Sequence, residues 1–360
     1  MKAKSINQID ASSYSKGVQV HHLRTAILGA GRMGRRHIQV VRDLGLDLVG
    51  ICDPNAEALN MADKEQGVVS DLHYRDAITL LKEKQPKCVV IATTAPAHCE
   101  YTIRSAELGA KYILCEKPMA ISLAECDLML AACRKHGTKL AINHQMRFMD
   151  QYITPRRLLN SAEFGGLASV TVVAGNFGIA MNGTHYFEMF RYMTDESPDE
   201  VTAWFSADKV PNPRGPQFED RAGSIRITTA SGKRFYMEVS SDQGNGLKVI
   251  YAGRNGQIAI DELTGAMSLV SREEQYRELP TTRYGMPSIR SEQTIQPADV
   301  IAPSRAVLEA LLNNTNPPTG EDGRLAVATL VAAYTSNEEG HRSVKLEETG
   351  QFKNRTFPWA

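Results

Sequence analysis

Three things are scarce in this chain of 360 residues. No apolar run approaches the roughly 20 residues that a membrane-spanning helix needs. No surplus charge exists, since 41 basic side chains face 41 acidic ones. No two of the six cysteines form a C-x-x-C pair. The first absence excludes a helical membrane protein. The second removes the clustered basic footprint of a nucleic-acid-binding protein. The third leaves neither a disulfide framework nor a metal-ligand spacing, and no metal is expected. Cys52, Cys88, Cys99, Cys115, Cys126 and Cys133 all fall in the first half, the strand-like runs around Cys52, Cys88 and Cys115 among them. They read as reduced, buried thiols of a cytoplasmic protein. Met1 to Val20 is polar and Ser-rich, without the apolar segment of a secretory signal. Residues 1–22 therefore read as a flexible leader or an extra edge segment.

From residue 23 the chain alternates strand and helix signals. Thr25-Ala26-Ile27-Leu28, Leu48-Val49-Gly50-Ile51-Cys52, Cys88-Val89-Val90-Ile91-Ala92, Lys111-Tyr112-Ile113-Leu114-Cys115 and Lys139-Leu140-Ala141-Ile142 are near-continuous apolar strands. Helical stretches lie between them: 33–44, 56–66, 76–84, 100–108 and 123–136. Apolar strands separated by helices predict an α/β unit with a doubly wound parallel sheet, covered on both faces. It is assigned to residues 23–147.

After Arg147 the pattern changes. Segments 169–176, 200–207, 224–229, 234–240 and 248–252 are rich in Val, Ile, Tyr and Thr. Turn signals at Ala230-Ser231-Gly232-Lys233 and Arg254-Asn255-Gly256 separate some of them. Helices are expected at 304–312 and 325–339. Residues 148–360 thus predict a second α/β unit with a large, open, mostly antiparallel sheet.

The chemistry-bearing motifs sit in the first unit. Gly29-Ala30-Gly31-Arg32-Met33-Gly34 follows an apolar strand and opens a helix. In that context G-x-G-x-x-G lets the backbone approach a pyrophosphate at a helix N-terminus. Arg32 is positioned to reach the phosphates, while Arg35 and Arg36 are expected in solvent. Asp53 ends the next strand, at the offset of a ribose-binding acid. Its carboxylate favours NAD over NADP. Asp53-Pro54 also reads simply as a turn. Thr93, Thr94 and His98 follow the next buried strand and are assigned to the nicotinamide side; His98 also reads as a polar residue opening a helix. Glu116-Lys117-Pro118 leaves the same edge of the sheet, where ligands of such folds collect.

Taken in order, these motifs resemble the glucose–fructose oxidoreductase / inositol dehydrogenase / rhizopine-catabolism (Gfo/Idh/MocA) oxidoreductase family. Gln145-Met146-Arg147-Phe148, Gly183-Thr184-His185-Tyr186-Phe187-Glu188 and Glu321-Asp322-Gly323 extend the resemblance over nearly the whole chain. It implies an NAD(H)-dependent oxidoreductase acting on a CH-OH group of a carbohydrate: a sugar, cyclitol or nucleotide-linked sugar. It implies Lys117 and His185 as catalytic residues, and a Lys117-Pro118 bond that is cis. Glu116, Lys117, Gln145 and Arg147 are implied near the cofactor, although Arg147 also reads as an interdomain ion-pair residue. Asn176, Asn182, His185, Tyr186 and Lys117 are candidate substrate contacts, with Tyr284 a further one. It also implies a homo-oligomer, dimer or tetramer, joined through the open sheet.

One departure stands out. Many relatives place an aspartate four residues before the histidine; here that position is Met181, beside Asn182. Two other readings follow: a dinucleotide-binding regulator without turnover, and an enzyme that uses tightly bound NAD transiently.

Overall fold

A computed structural model describes residues 22–175, 177–244, 246–282 and 285–360. The expected leader, apart from His22, lies outside the described residues, as do Asn176 and Tyr284. Six parallel strands build the first sheet: β1 (Arg24–Leu28), β2 (Asp47–Cys52), β3 (His73–Tyr74), β4 (Cys88–Ile91), β5 (Tyr112–Cys115) and β6 (Lys139–Ile142). Their order is β3-β2-β1-β4-β5-β6, so the chain reverses direction across the sheet between β1 and β4. Loops leaving the carboxyl ends of these two strands therefore diverge and open a crevice. Helices α1 (Arg32–Asp43), α2 (Ala56–Gln66), α3 (Ala77–Lys84), α4 (His98–Glu107) and α5 (Leu123–His136) cover both faces.

Local chemistry sets the helix ends. Asn55, Asp76 and Ser122 accept hydrogen bonds from the first-turn N–H groups of α2, α3 and α5, satisfying donors that a helix leaves open. Gly67 and Gly137 stop α2 and α5 in the left-handed conformation, where glycine has no steric cost. All six cysteines are buried and unpaired, and burial pushes the Cys52 thiol up to about 12.

The second half adds α6 (Asp150–Leu159), β7 (Leu167–Gly175) and α7 (Thr184–Thr194). Strands β8 (Pro198–Lys209), β9 (Arg221–Thr229), β10 (Arg234–Ser240), β11 (Lys248–Gly253), β12 (Gly256–Asp261), β13 (Ala266–Arg272) and β14 (Ser288–Thr294) follow. Helices α8 (Ile301–Asn313) and α9 (Gly320–Glu338) and a short β15 (Val344–Lys345) complete it. The nine-stranded sheet is antiparallel except where β10 meets β7. One cross-strand row, Ala203-Ile225-Met237-Val172-Val249-Ile260-Met267, is wholly buried. The next row, Thr202-Arg226-Tyr236-Thr171-Ile250-Ala259-Ser268, contains no buried residue. Period-two alternation thus gives the sheet one core face and one open face.

Three features tie the halves together. Helix α8 lays Val307, Leu308 and Leu311 against the core of the first sheet, beside Ile27, Val40 and Val90. The Ile142 N–H donates to the Pro318 carbonyl just before α9. Arg147, buried after β6, donates to Glu188 of α7 and, at 3.1 Å, to Asp322 of α9. Glu188 also takes Arg191 at 3.1 Å.

This ion network generates a stability prediction. Arg147→Met leaves the Glu188 carboxylate buried beside only the Arg191 partner. Breaking a buried pair from one side costs about 3–5 kcal/mol, and chemical denaturation should register a loss near the lower end. Arg147→Met/Glu188→Met should lose less than Arg147→Met alone. Equal or greater loss in the double variant would show that the pair is not what holds this junction.

Candidate active site

The glycine turn has a division of labour. Gly29 has φ +99°, and a Cβ there would lie 2.6 Å from the Ala92 carbonyl oxygen at the end of β4. Gly34 in α1 packs so closely on the turn that a Cβ would overlap the Gly29 carbonyl. Gly31 differs: a Cβ there would meet nothing within 4 Å. The space before the α1 N-terminus is open, and Gly31 supplies no side-chain cap to its N–H groups. An anion fits there. Asp53 closes the other side. Its Oδ2 accepts from the Ala30 N–H at 2.8 Å and its Oδ1 from the Asn55 N–H at 2.9 Å. The turn and the ribose-type acid are therefore in direct contact.

Arg32 is exposed at the mouth and Met33 is half-buried beside it. Arg35 is not a solvated side chain as expected. It pairs with Glu65 at 2.6 Å and reaches the Ala30 carbonyl at 3.2 Å. Arg36 is half-buried over the Met33 sulfur, at 3.5 Å.

Deeper in the crevice, Lys117 leaves β5 through a Lys117-Pro118 bond that is cis, as the resemblance implies. Glu116, just before it, points inward. Its Oε1 accepts from His37 Nε2 of α1 and from Asn143 Nδ2 after β6, each at 2.8 Å. Burial alone would raise this carboxyl. His37, Lys117 and Asn143 reverse that and hold it at about 2. Glu116 is thus a buried anion next to Lys117.

Lys117 retains 9 % of its surface. Its Nζ donates to the Met181 carbonyl at 2.5 Å. Burial lowers the ammonium, Arg214 adds to this, Glu116 and Asp220 oppose it, and the balance is about 8. His185, on the first turn of α7, is equally buried. Burial, then the charges of Lys117, His144 and Arg214, holds it well below the usual histidine range. His144 follows β6, and its ring stands edge-on to His185 at 5.6 Å between centroids. Burial and the nearby Lys117 and Arg147 hold His144 at about 3. Both imidazoles are neutral near pH 7.

Several buried polar atoms here have no partner among the described residues: Thr93 Oγ1, Gln145 Oε1, His185 Nδ1 and both ring nitrogens of His144. Buried polar atoms normally find partners. A set left open after β4, after β6 and on the first turn of α7 fits a polar ligand. With the open space at Gly31, the crevice suits a dinucleotide: diphosphate at α1, polar ring near Thr93 and Gln145. Thr94, half-buried, starts the short turn after β4.

The segment before α7 is a π-helical turn, Ile179–Gly183, which includes half-buried Asn182. Asp220, just before β9, caps that turn. It accepts from the Ala180 N–H at 2.7 Å, the Met181 N–H at 2.9 Å and the Arg221 N–H at 3.0 Å. Burial raises it to about 6 against those hydrogen bonds and Lys117. Gly178 permits the approach, since a Cβ there would fall 1.9 Å from Asp220 Oδ2.

Three expected contacts have buried protein partners of their own. His98 is fully buried between two carbonyls, Pro118 at 2.9 Å from Nδ1 and Thr93 at 3.2 Å from Nε2, and as a neutral ring donates its one N–H to one of them. It packs between the two loops. Arg147 is spent on Glu188 and Asp322, the ion-pair alternative. Tyr186 turns away from His185 and donates to the buried Glu262 at 2.8 Å, which Tyr152 also bonds. Burial raises that Glu262 carboxyl to about 7. On α7 successive side chains point about 100° apart, and both His185 and Tyr186 are buried, Tyr186 toward Glu262.

Sequence reasoning did not find His37, Asn143, His144, Arg214 or Asp220. Asn143 and His144 were accessible to the rule that carboxyl-end residues line the crevice. His37 and Asp220 carry no local signal, because their partners are 79 and 40 residues away.

Comparison with known proteins agrees with this architecture. The model of the oxidoreductase family with an NAD-binding Rossmann fold matches residues 23–144. D-apiose dehydrogenase of Paraburkholderia graminis is 27 % identical over 361 aligned positions, covering 91 % of each chain. Myo-inositol 2-dehydrogenase of Thermotoga maritima is 24 % identical, over 91 % of this chain and 99 % of the relative. Among solved structures, an Agrobacterium radiobacter oxidoreductase in complex with NAD+, L-tartaric acid and magnesium shares the fold. Its TM-score is 0.74 at 18 % identity, over 91 % of this chain and 99 % of the other. GenD2 from gentamicin A biosynthesis, in complex with NAD, gives 0.72 at 22 %, over 92 % and 98 %. With the glycine turn, Asp53 and the six-stranded sheet in place, residues 23–144 belong to the oxidoreductase family with an NAD-binding Rossmann fold, and the rest of the chain shares its fold with solved NAD-binding oxidoreductases.

Proposed function

We propose that this oxidoreductase interconverts a secondary hydroxyl and a ketone on a sugar, cyclitol or nucleotide-linked sugar, with Lys117 moving the proton. The observation that carries the reading is a buried ammonium held at about 8 among unfilled polar groups, at the carboxyl edge of a dinucleotide-type sheet. Bound NAD supplies the acceptor or donor of the hydride. In reduction, Lys117 gives a proton to the carbonyl oxygen as that oxygen gains charge. In oxidation, the neutral amine takes the hydroxyl proton. A group poised near the working pH suits both directions. His185 and His144, both neutral, hydrogen-bond and orient the substrate. With His185 held so low, Lys117 carries the larger share of the proton work.

Residues 23–147 form the cofactor unit in this reading, and 148–360 the substrate and oligomer unit. The open face of the nine-stranded sheet, with Tyr236 and Ile250, is the proposed homo-oligomer surface. The absence of an acid at Met181 favours one second reading, a dinucleotide-binding regulator without turnover. Retention of Lys117 beside His185 weighs against it.

A panel of sugars, cyclitols and nucleotide-linked sugars with NAD+, followed at the NADH absorbance band, tests the reading. At least one should yield NADH in the wild type, and Lys117→Ala should lose that turnover by 100-fold or more, the general acid–base contribution, with NADH affinity nearly unchanged. Wild-type turnover in Lys117→Ala would remove the lysine from the reaction. NADH binding without turnover across hydroxyl and keto panels would favour the regulator.

The pH dependence has a defined sign. The ammonium exists below about 8 and is lost above it, so ketone reduction should fall as pH rises through that value. Oxidation should rise over the same interval. Profiles flat between pH 7 and 9 would contradict the assignment. At the other end of the crevice, Asp53→Ser should weaken NADH by about 10-fold, the order of a hydrogen bond to a charged group, and improve NADPH. An unchanged preference in a fluorescence titration would take Asp53 out of cofactor choice.

A further inference from the structure

The turn that holds Lys117 has no acid of its own. Met181 and Asn182 occupy it, and α7 begins directly after Gly183. A carboxylate nevertheless sits against it. Asp220 is 1 % exposed and lies just before β9. It takes the N–H groups of Ala180 and Met181 with its two oxygens, while the carbonyl of Met181 takes Lys117 Nζ. Met181 is therefore gripped at both ends. Its backbone N–H is fixed by the carboxylate, and its carbonyl is presented to the ammonium.

We propose that Asp220 is the positioning residue of this site: by clamping the Ala180–Met181 turn it fixes the Lys117 ammonium, and its charge sustains the protonated lysine. This deepens the hydroxyl–ketone reading and rests on it for its functional meaning. The charges facing Lys117 are Glu116 and Asp220 of one sign and Arg214 and Arg32 of the other, with His144 and His185 neutral beside it. Asp220 itself faces Lys117 and Arg214, and Tyr334 from α9. Glu116 is committed to His37 and Asn143. Of the two carboxylates, Asp220 alone also holds the turn that receives the lysine.

Gly178 belongs to the same device. It lets the carboxylate reach the turn, and a methyl group in its place would collide with Oδ2. Gly178→Ala is therefore a way to displace Asp220 without deleting it.

The test reads Lys117 without a substrate. Competitive acetylation with acetic anhydride across pH 6–10, followed by peptide mass spectrometry, gives the titration midpoint of each lysine. Wild-type Lys117 should titrate near 8. In Asp220→Asn the midpoint should fall by about one unit, the lower range for removing a nearby opposite charge, which is a 10-fold change in acid dissociation. Exposed Lys139 serves as the control and should not move. Gly178→Ala should shift Lys117 the same way by less. A folded Asp220→Asn protein, with wild-type melting and NADH binding but an unmoved Lys117, overturns the proposal. If Asp220→Asn does not fold, Gly178→Ala decides, and an unmoved Lys117 there overturns it equally. A shifted Lys117 in a protein that turns over no alcohol or ketone would sink the proposed reaction and leave the role of Asp220 standing.

Discussion

A primary ammonium nine-tenths removed from water is the constraint around which this molecule is arranged. Lys117 cannot be solvated where it lies, so protein groups must replace the water. The Met181 carbonyl supplies the direct bond, and Glu116 and Asp220 supply negative charge nearby. Burial still lowers the group toward neutrality, which is the property proton transfer requires. Each supporting group is itself anchored by more distant chain: Glu116 by α1 and the loop after β6, Asp220 by the turn before α7. The low proton affinity of Lys117 is thus a consequence of tertiary packing.

The same packing explains why the two halves do not behave as beads on a string. Arg147, Glu188 and Asp322 lock α7 and α9 to the end of β6. Tyr186 and Tyr152 meet at Glu262 beneath α7. Helix α7 is therefore held by ionic contacts toward the first sheet and by a buried carboxyl toward the second. His185 rides on that helix, so its placement against Lys117 follows from both. A cation contributed by one sheet and a turn contributed by the other meet in one hydrogen bond.

Much of the first half was legible in the sequence. Continuous apolar strands and glycine stops are local signals, and, the two-residue β3 aside, the strands and helices fall close to where these predict. Lys117 and His185 were legible through motif order, and the structure brings them together. His98 and Arg147 each carried two readings in the sequence, and their buried partners are the Pro118 and Thr93 carbonyls for one and Glu188 and Asp322 for the other. Glu116 and Tyr186 likewise make buried hydrogen bonds, to His37 and Asn143 and to Glu262, with partners too distant in sequence to read locally. The strands over 256–261, 266–272 and 288–294 escaped notice because their short polar–apolar alternation is weak beside a continuous apolar run. Asp220 was invisible, since nothing near it in sequence shows that a π-helical turn 40 residues earlier needs its oxygens.

The central claim is that the reacting centre lies between the nicotinamide ring and Lys117. A crystal structure of the protein with NAD+ tests it most directly. The account predicts the diphosphate at the α1 N-terminus over Gly31, the adenosine ribose on Asp53, and the nicotinamide C4 turned toward Lys117 Nζ and the His144–His185 pair. A nicotinamide facing away from Lys117, or a diphosphate bound elsewhere than the α1 N-terminus, would contradict it.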